Sequence, residues 1–238
     1  MVLTFGKNKK AAVNIKSITH NNQTLSISVE YQKKVFNSTL GMIGKFQAYN
    51  VLASASICIA LGMDPNFVFR ALPYLKPARG RMEIVPSKNS NSTVIIDYAH
   101  TPEALRSVLS FLKEMKTKSG KLITLFGCGG DRDKDKRKLM GNIAHKYSDT
   151  VIITDDNPRN ENPAKIRSDI LSGSPSAIEI SDRNKAIKHA VSILSENDFL
   201  LIAGKGHETL QTIGSETLPF DDYAVAREAL NNSNMTEI

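Results

Sequence analysis

The stretch TDDNPRNENP, residues 154–163, sets two carboxylates, an amide and a guanidinium on one turn. Pro158 fixes its own φ and pushes Asn157 toward an extended conformation, so Asp156, Asn157 and Arg159 are presented in a set arrangement. An anionic acceptor beside a planar five-donor fork suits a zwitterionic amino-acid head. The carboxylate takes the ammonium, and the guanidinium takes the carboxylate bidentately. The ordinary alternative is a mutual Asp–Arg surface pair, which contributes little.

Other stretches carry related chemistry. GCGGDRDKDKR, residues 127–137, lacks the third glycine of a G-x-G-x-x-G fingerprint, because Arg132 stands there. Its glycines are expected to let backbone approach a ligand closely. Asp131 and Asp133 are expected to orient the Arg132 fork and partly neutralise it. AGKGHE, residues 203–208, offers Gly204 for a tight turn and Glu208 as a second ammonium acceptor, while His207 reads as a packing or hydrogen-bonding histidine. DYAHTP, residues 97–102, puts Asp97 and His100 just before a helix start, a place suited to phosphate or ribose contacts. No metal-ligand spacing, Ser-His-Asp order or G-x-x-x-x-G-K-[ST] loop occurs in the 238 residues.

These stretches need elements to hold them. From Thr93 on, apolar runs (TVIID, KLITLF, TVIIT, AIEI, DFLLIA) alternate with helical patterns. That alternation predicts a mainly parallel sheet covered by helices on both faces, a Rossmann-like α/β domain. Helices are expected from Thr101 to about Lys116, Lys138 to Tyr147, Ala164 to Leu171 and Asp182 to Leu194, and over DDYAVAREAL. All four chemically unusual loops then follow strands, on the rim where such sheets bind ligands. Earlier residues read differently. AAVNIKSI, TLSISVEY and KKVFNSTL alternate apolar and polar, as half-buried antiparallel strands do. Helices are expected from Gly44 to Leu61 and from Asp64-Pro65 to Pro73, followed by the linker LKPARG.

Composition bounds the alternatives. The chain is 41% apolar and 23% charged, ordinary values for a globular protein, and no run approaches a membrane span. MVLTFGKNKK has the wrong charge order for a signal peptide, and Cys58 and Cys128 are far apart, which together suggest a reduced cytoplasmic setting. Of the net charge of +7, the first 46 residues contribute seven lysines against one acid, Glu30. Scattered on alternating residues, these read as solvated strand faces, so no nucleic acid is expected; RNA binding is the weaker alternative.

GRME from Gly80, DYAHTP, FGCGGDRDK, TDDNPR, ENP and AGKGHE, in this order, resemble the Mur ligases, and within them the type that adds diaminopimelate. The resemblance is specific from Gly80 onward and looser before it. It implies an ATP-dependent amide ligase of peptidoglycan precursor synthesis, and so of cell shape and division. Such an enzyme adds meso-diaminopimelate to UDP-N-acetylmuramoyl-L-alanyl-D-glutamate through an acyl phosphate. Residues 1–79 would be the tail of the central ATP-binding domain, and 80–238 the amino-acid-binding domain. Carried over by position, Arg132, Asp156, Asn157, Pro158, Arg159, Gly204 and Glu208 would hold diaminopimelate. Asn50, Arg81, Asp97 and His100 would contact ATP. Gln47 stands where relatives have the first Asn of an N-x-x-N pair, and Lys138 replaces a proline. The phosphate-cradling loop and the carbamylated lysine that holds Mg²⁺ would lie upstream of Met1, in a missing N-terminal half that could be a separate chain. This chain alone is therefore expected to be inactive. The rival readings are a folylpolyglutamate-type ligase of the same superfamily and a non-catalytic amino-acid-binding relic.

Overall fold

A computed structural model describes residues 2–20, 24–87 and 91–232. The chain divides into two compact units, residues 1–78 and 79–238. The first opens with β1 (Phe5–Gly6), parallel to β2 (Val13–His20), and continues as an antiparallel meander through β3 (Leu25–Tyr31) and β4 (Lys34–Leu40). Val13, Ile15, Leu25, Ile27, Val29 and Leu40 turn inward against Val51, Leu52 and Ala55 of α1 (Lys45–Ala60) and Val68 and Phe69 of α2 (Pro65–Ala71). The opposite face carries Ser17, Thr19, Ser26, Ser28, Asn37 and Thr39. That is the two-residue alternation of a sheet buried on one side. Asp64 starts α2 by accepting the Phe67 amide at 3.0 Å, with Pro65 at the first helical position.

The second unit is built on a six-stranded sheet. Its strands are β5 (Glu83–Val85), β6 (Thr93–Asp97), β7 (Leu122–Phe126), β8 (Thr150–Ile153), β9 (Ile178–Glu179) and β10 (Phe199–Ala203). Their order is β5-β6-β10-β7-β8-β9, parallel throughout except for β5. The helices between them are α3 (Pro102–Met115), α4 (Asp135–Tyr147), α5 (Pro163–Leu171) and α6 (Arg183–Ser192), and α7 (Asp222–Asn232) closes the unit. One sheet face buries Val94, Ile96, Ile123, Leu125, Leu200 and Ile202 against Ala186, Ile187 and Ala190 of α6 and Ala226, Ala229 and Leu230 of α7. α3, α4 and α5 pack side by side, with Leu105, Leu109, Leu112, Met140, Ile143, Ile166 and Ile170 buried. Thr101, Asn162 and Asp182 cap α3, α5 and α6 through their side chains.

Three features depart from the sequence expectations. Helix α4 begins at Asp135 rather than Lys138, because Asp133 Oδ1 accepts the Asp135 amide at 2.9 Å and starts the turn early. β5 is a short antiparallel edge that the Gly/Pro-rich stretch around it conceals. Beyond β10, an antiparallel hairpin of β11 (Leu210–Ile213) and β12 (Glu216–Pro219) was not anticipated at all.

Candidate functional site

The loops after β6, β7, β8 and β10 meet at the carboxyl ends of their strands around a cleft of about 420 Å³. The walls include Tyr98, His100 and Thr101 from the first loop, and Gly127, Cys128, Gly129, Arg132, Asp133 and Lys136 from the second. Asp156, Asn157 and Arg159 come from the third, and Gly204 and Glu208 from the fourth.

The DDNPR turn is held from behind by the hairpin. Thr212 O accepts the Arg159 amide at 3.1 Å, Arg159 O accepts the Gly214 amide at 2.7 Å, and Arg159 bridges to Ile213. Asp156 O accepts the Gln211 side-chain amide at 2.7 Å, and Asn157 Oδ1 accepts the Thr212 amide at 3.0 Å. Arg159 sits at φ 50°, a left-handed conformation that these bonds maintain. On the other side, Gly130 N donates to Asn157 O at 2.9 Å, and Arg159 Nη1 donates to Gly130 O at 2.8 Å. The glycines of GCGG serve this packing, and Gly127 and Gly129 also line the cleft. A Cβ at Gly127 would stand 2.3 Å from Thr154 O, and one at Gly130 would stand 1.9 Å from Pro158 O.

The two neighbouring acids of the turn part company. Asp155 pairs with Arg167 of α5 and stays outside the cleft. Burial raises its carboxyl above the ordinary range, against the pull of that guanidinium. Asp156 is 8% exposed and lines the cleft, with Oδ2 close enough to Gly204 that a Cβ there would be 2.7 Å away. Among the described residues neither Asp156 nor Arg159 forms an ion pair, so the mutual surface pair is not what the turn makes. Asp131 and Asp133 do not neutralise Arg132 either. Asp131 Oδ2 accepts from Asn160, Asp133 Oδ1 accepts the Asp135 amide at the start of α4, and among the described residues Arg132 Nη1 donates to the Asp131 carbonyl at 3.2 Å. The Arg132 side chain is exposed at the cleft mouth.

Asn157 links turn and hairpin to the last loop. Its Nδ2 donates to Glu208 Oε2 at 2.8 Å. Lys205, fully buried, was missed, since sequence reasoning assigns a loop lysine to solvent. Below them, Arg183 makes a buried two-point pair with Asp222, 2.7 Å each, and donates to the carbonyls of Ala203 and Asp155 at 3.0 and 3.3 Å. It thus ties the ends of β8 and β10 to α7. The Cys128 thiol is pushed up to about 12 by burial.

The remaining expected residues lie elsewhere. Pro158 is buried behind the turn and Asn50 is on α1 of the first unit, where Nδ2 donates to Gln47 Oε1 at 3.1 Å. Asp97 is buried, raised above the carboxylate range by desolvation, and Oδ2 accepts the Met82 amide at 2.8 Å. Its carboxylate therefore faces the loop before β5 and holds the backbone beside Arg81, whose guanidinium stacks 4.7 Å over the Tyr98 ring. His100 is exposed and lines the cleft. Lys136 Nζ donates to its carbonyl at 2.9 Å. Among the described residues no group of three or more His, Cys, Asp or Glu side chains could hold a metal ion, and no helix is long and apolar enough to cross a membrane.

Residues 80–206 match the family described as Mur ligase, glutamate ligase domain. A UDP-N-acetylmuramoyl-L-alanyl-D-glutamate–2,6-diaminopimelate ligase of Agrobacterium fabrum is 43% identical over 229 residues, covering 96% of this chain and 46% of the relative. The same-named ligase of Rickettsia typhi is 44% identical over 230 residues, again 96% of this chain and 46% of the relative. A solved structure of a ligase with that name superposes with a TM-score of 0.69 at 33% identity, over 98% of this chain and 48% of that one. The chain spans about half the length of the curated relatives it matches. With the family match running over more than half of its residues, the chain belongs to the Mur ligase family.

Proposed function

We propose that this chain is the amino-acid-receiving part of an ATP-dependent ligase that joins meso-diaminopimelate to UDP-N-acetylmuramoyl-L-alanyl-D-glutamate in the cytoplasm. The observation that carries the reading is the pair of unmatched groups on one cleft. The Asp156 carboxylate is buried in the cleft wall, the Arg159 guanidinium is held by Gly130 O, and neither is in an ion pair within the described residues. A buried carboxylate outside any ion pair is costly, and beside a half-buried guanidinium likewise outside one it fits a ligand that carries both charges. Diaminopimelate carries a second amino-acid head that lysine lacks. In this reading Arg159 takes the distal carboxylate, and Asp156 and Glu208 take ammonium groups. Arg132, at the mouth, takes the carboxylate next to the attacking amine. The names of the relatives support the same substrates.

ATP would supply the activation of the peptide carboxylate. The present residues fit only its margin: Arg81 stacked on Tyr98, and His100 at the start of α3. Asp97 serves by holding Met82, and so Arg81, in place. In the same reading, residues 1–79 are the tail of the ATP-binding domain and 80–238 form the amino-acid-binding domain. The described residues offer no Mg²⁺ cluster, and no phosphate-loop motif occurs in the sequence. By itself the chain is proposed not to turn over ATP. Calorimetric titration of the chain with meso-diaminopimelate and with L-lysine tests the reading. One-to-one binding of the first, with lysine at least tenfold weaker, supports it; no binding of either, or equal binding, refutes it.

A further inference from the structure

Lys205 does not line the cleft, yet it is 0% exposed, which is rare for a lysine without a role for its charge. Gly204 at φ 109° and Gly206 at φ 53° flank it, and both conformations are ones a side chain disfavours. They turn the backbone so that the lysine points away from the cleft, beneath the hairpin. There its ammonium meets three acceptors: Leu210 O at 2.6 Å, Asn157 Oδ1 at 3.3 Å and Glu208 Oε2 at 3.4 Å. An ammonium has three donors, so all are used. Asn157 Oδ1 accepts from Lys205 and from the Thr212 amide, which fixes the amide with its oxygen inward and Nδ2 outward. Nδ2 spends one proton on Glu208 Oε2. What remains for a ligand is the second Nδ2 proton and Glu208 Oε1.

We propose that Lys205 is a positioning residue: it holds Asn157 and Glu208 in the one orientation in which they present a donor and an acceptor to the amino-acid substrate. The proposal rests on the reading of the cleft given above. Removing the ammonium leaves Asn157 Oδ1 held by the Thr212 amide alone, which loosens the side-chain amide, and leaves Glu208 Oε2 with one donor instead of two. The expected consequence is loss of substrate affinity through residues that Lys205 touches, not through unfolding.

A double-mutant cycle separates this from a purely structural role. Lys205→Met and Glu208→Gln are each expected to weaken meso-diaminopimelate binding at least tenfold. The double variant should be no more than about twofold worse than the weaker single, because both changes dismantle one unit. Losses that multiply would overturn the proposal, as would unchanged affinity in Lys205→Met. If Lys205→Met does not fold cooperatively in urea, Lys205→Gln, which keeps a donor for Leu210 O but drops the charge, runs the same cycle; losses that do not multiply are again expected, and losses that do would again overturn the proposal. A second arm needs no ligand. The Asn157 side-chain amide resonances of the labelled chain should shift in the Lys205 variant; resonances that stay in place overturn the proposal. If the unmodified chain binds no amino acid, the reading of the cleft falls, and this second arm alone decides Lys205.

Discussion

Arg159→Ala isolates one side chain with little disturbance of its frame. The backbone at residue 159 sits at φ 50°, and its bonds to Thr212 and Gly214 do not involve the side chain, so the variant is expected to keep that conformation. The deletion removes the Nη1 bond to Gly130 O, and with it the guanidinium that faces the cleft. Nη1 is committed to that carbonyl, so Nε and Nη2 are left for a two-point bond to a carboxylate. A charge-assisted two-point bond in a partly closed site contributes about 2 to 4 kcal/mol. That corresponds to a loss of about 30-fold to several hundred-fold in meso-diaminopimelate affinity. Lysine has no carboxylate to place there, so its weaker binding should change by less than about threefold in the same titration. Arg132→Ala should behave differently, weakening both amino acids together. If Arg159→Ala weakened both equally, Arg159 would be a structural residue and the substrate assignment would lose its physical basis.

Other consequences are open to direct measurement. Asp222→Asn leaves the fully buried Arg183 facing a neutral partner, so a loss of about 3 to 5 kcal/mol is expected from urea unfolding; a loss below about 1 kcal/mol would contradict the brace. Glu161, bonded by Arg137 at 2.9 and 3.0 Å, is held at about 2, below its ordinary 4.5. A depressed carboxyl stabilises the fold above its unfolded value and loses that contribution as the pH falls from about 4.5 through about 2. The melting temperature of Glu161→Gln should therefore fall less steeply than that of the unmodified chain over this window, and parallel curves would refute the assignment. Cys128, buried with its thiol pushed up to about 12, should escape iodoacetamide at pH 8 while partly exposed Cys58 is modified, as read by mass spectrometry.

The parts of the fold legible in the sequence are those where one signal dominates. β6, β7, β8 and β10 are continuous apolar runs, and a strand buried on both faces admits little else. The capped helix starts were legible because Asp64, Thr101 and Asp182 do their work within three residues. The hairpin was not. LQTI and ETLP are mostly exposed, so burial gives them no pattern, and the partner that orders them is the backbone of Arg159, some fifty residues earlier. The site divides the same way. Arg132, Asp156, Asn157, Arg159, Glu208 and His100, whose side chains line the cleft, stood out from their chemistry, whereas Tyr98 and Lys136, which line it too, did not. Lys205 acts from behind, and the acids beside Arg132 are engaged by Asn160 and the start of α4; such contacts come from the folded chain and leave no local trace. The GCGG glycines were noticed for close approach, and one partner that approaches them is the neighbouring loop, a long-range contact the sequence does not reveal.

The central claim is that the cleft between these loops receives diaminopimelate. It is tested most directly by titrating the isotope-labelled chain with meso-diaminopimelate and following the backbone amide resonances. The account predicts that the largest shifts fall on residues 129–132, 156–159 and 204–208, and that L-lysine perturbs residue 159 far less than diaminopimelate does. Shifts confined to other surfaces, or none at saturating ligand, would contradict it.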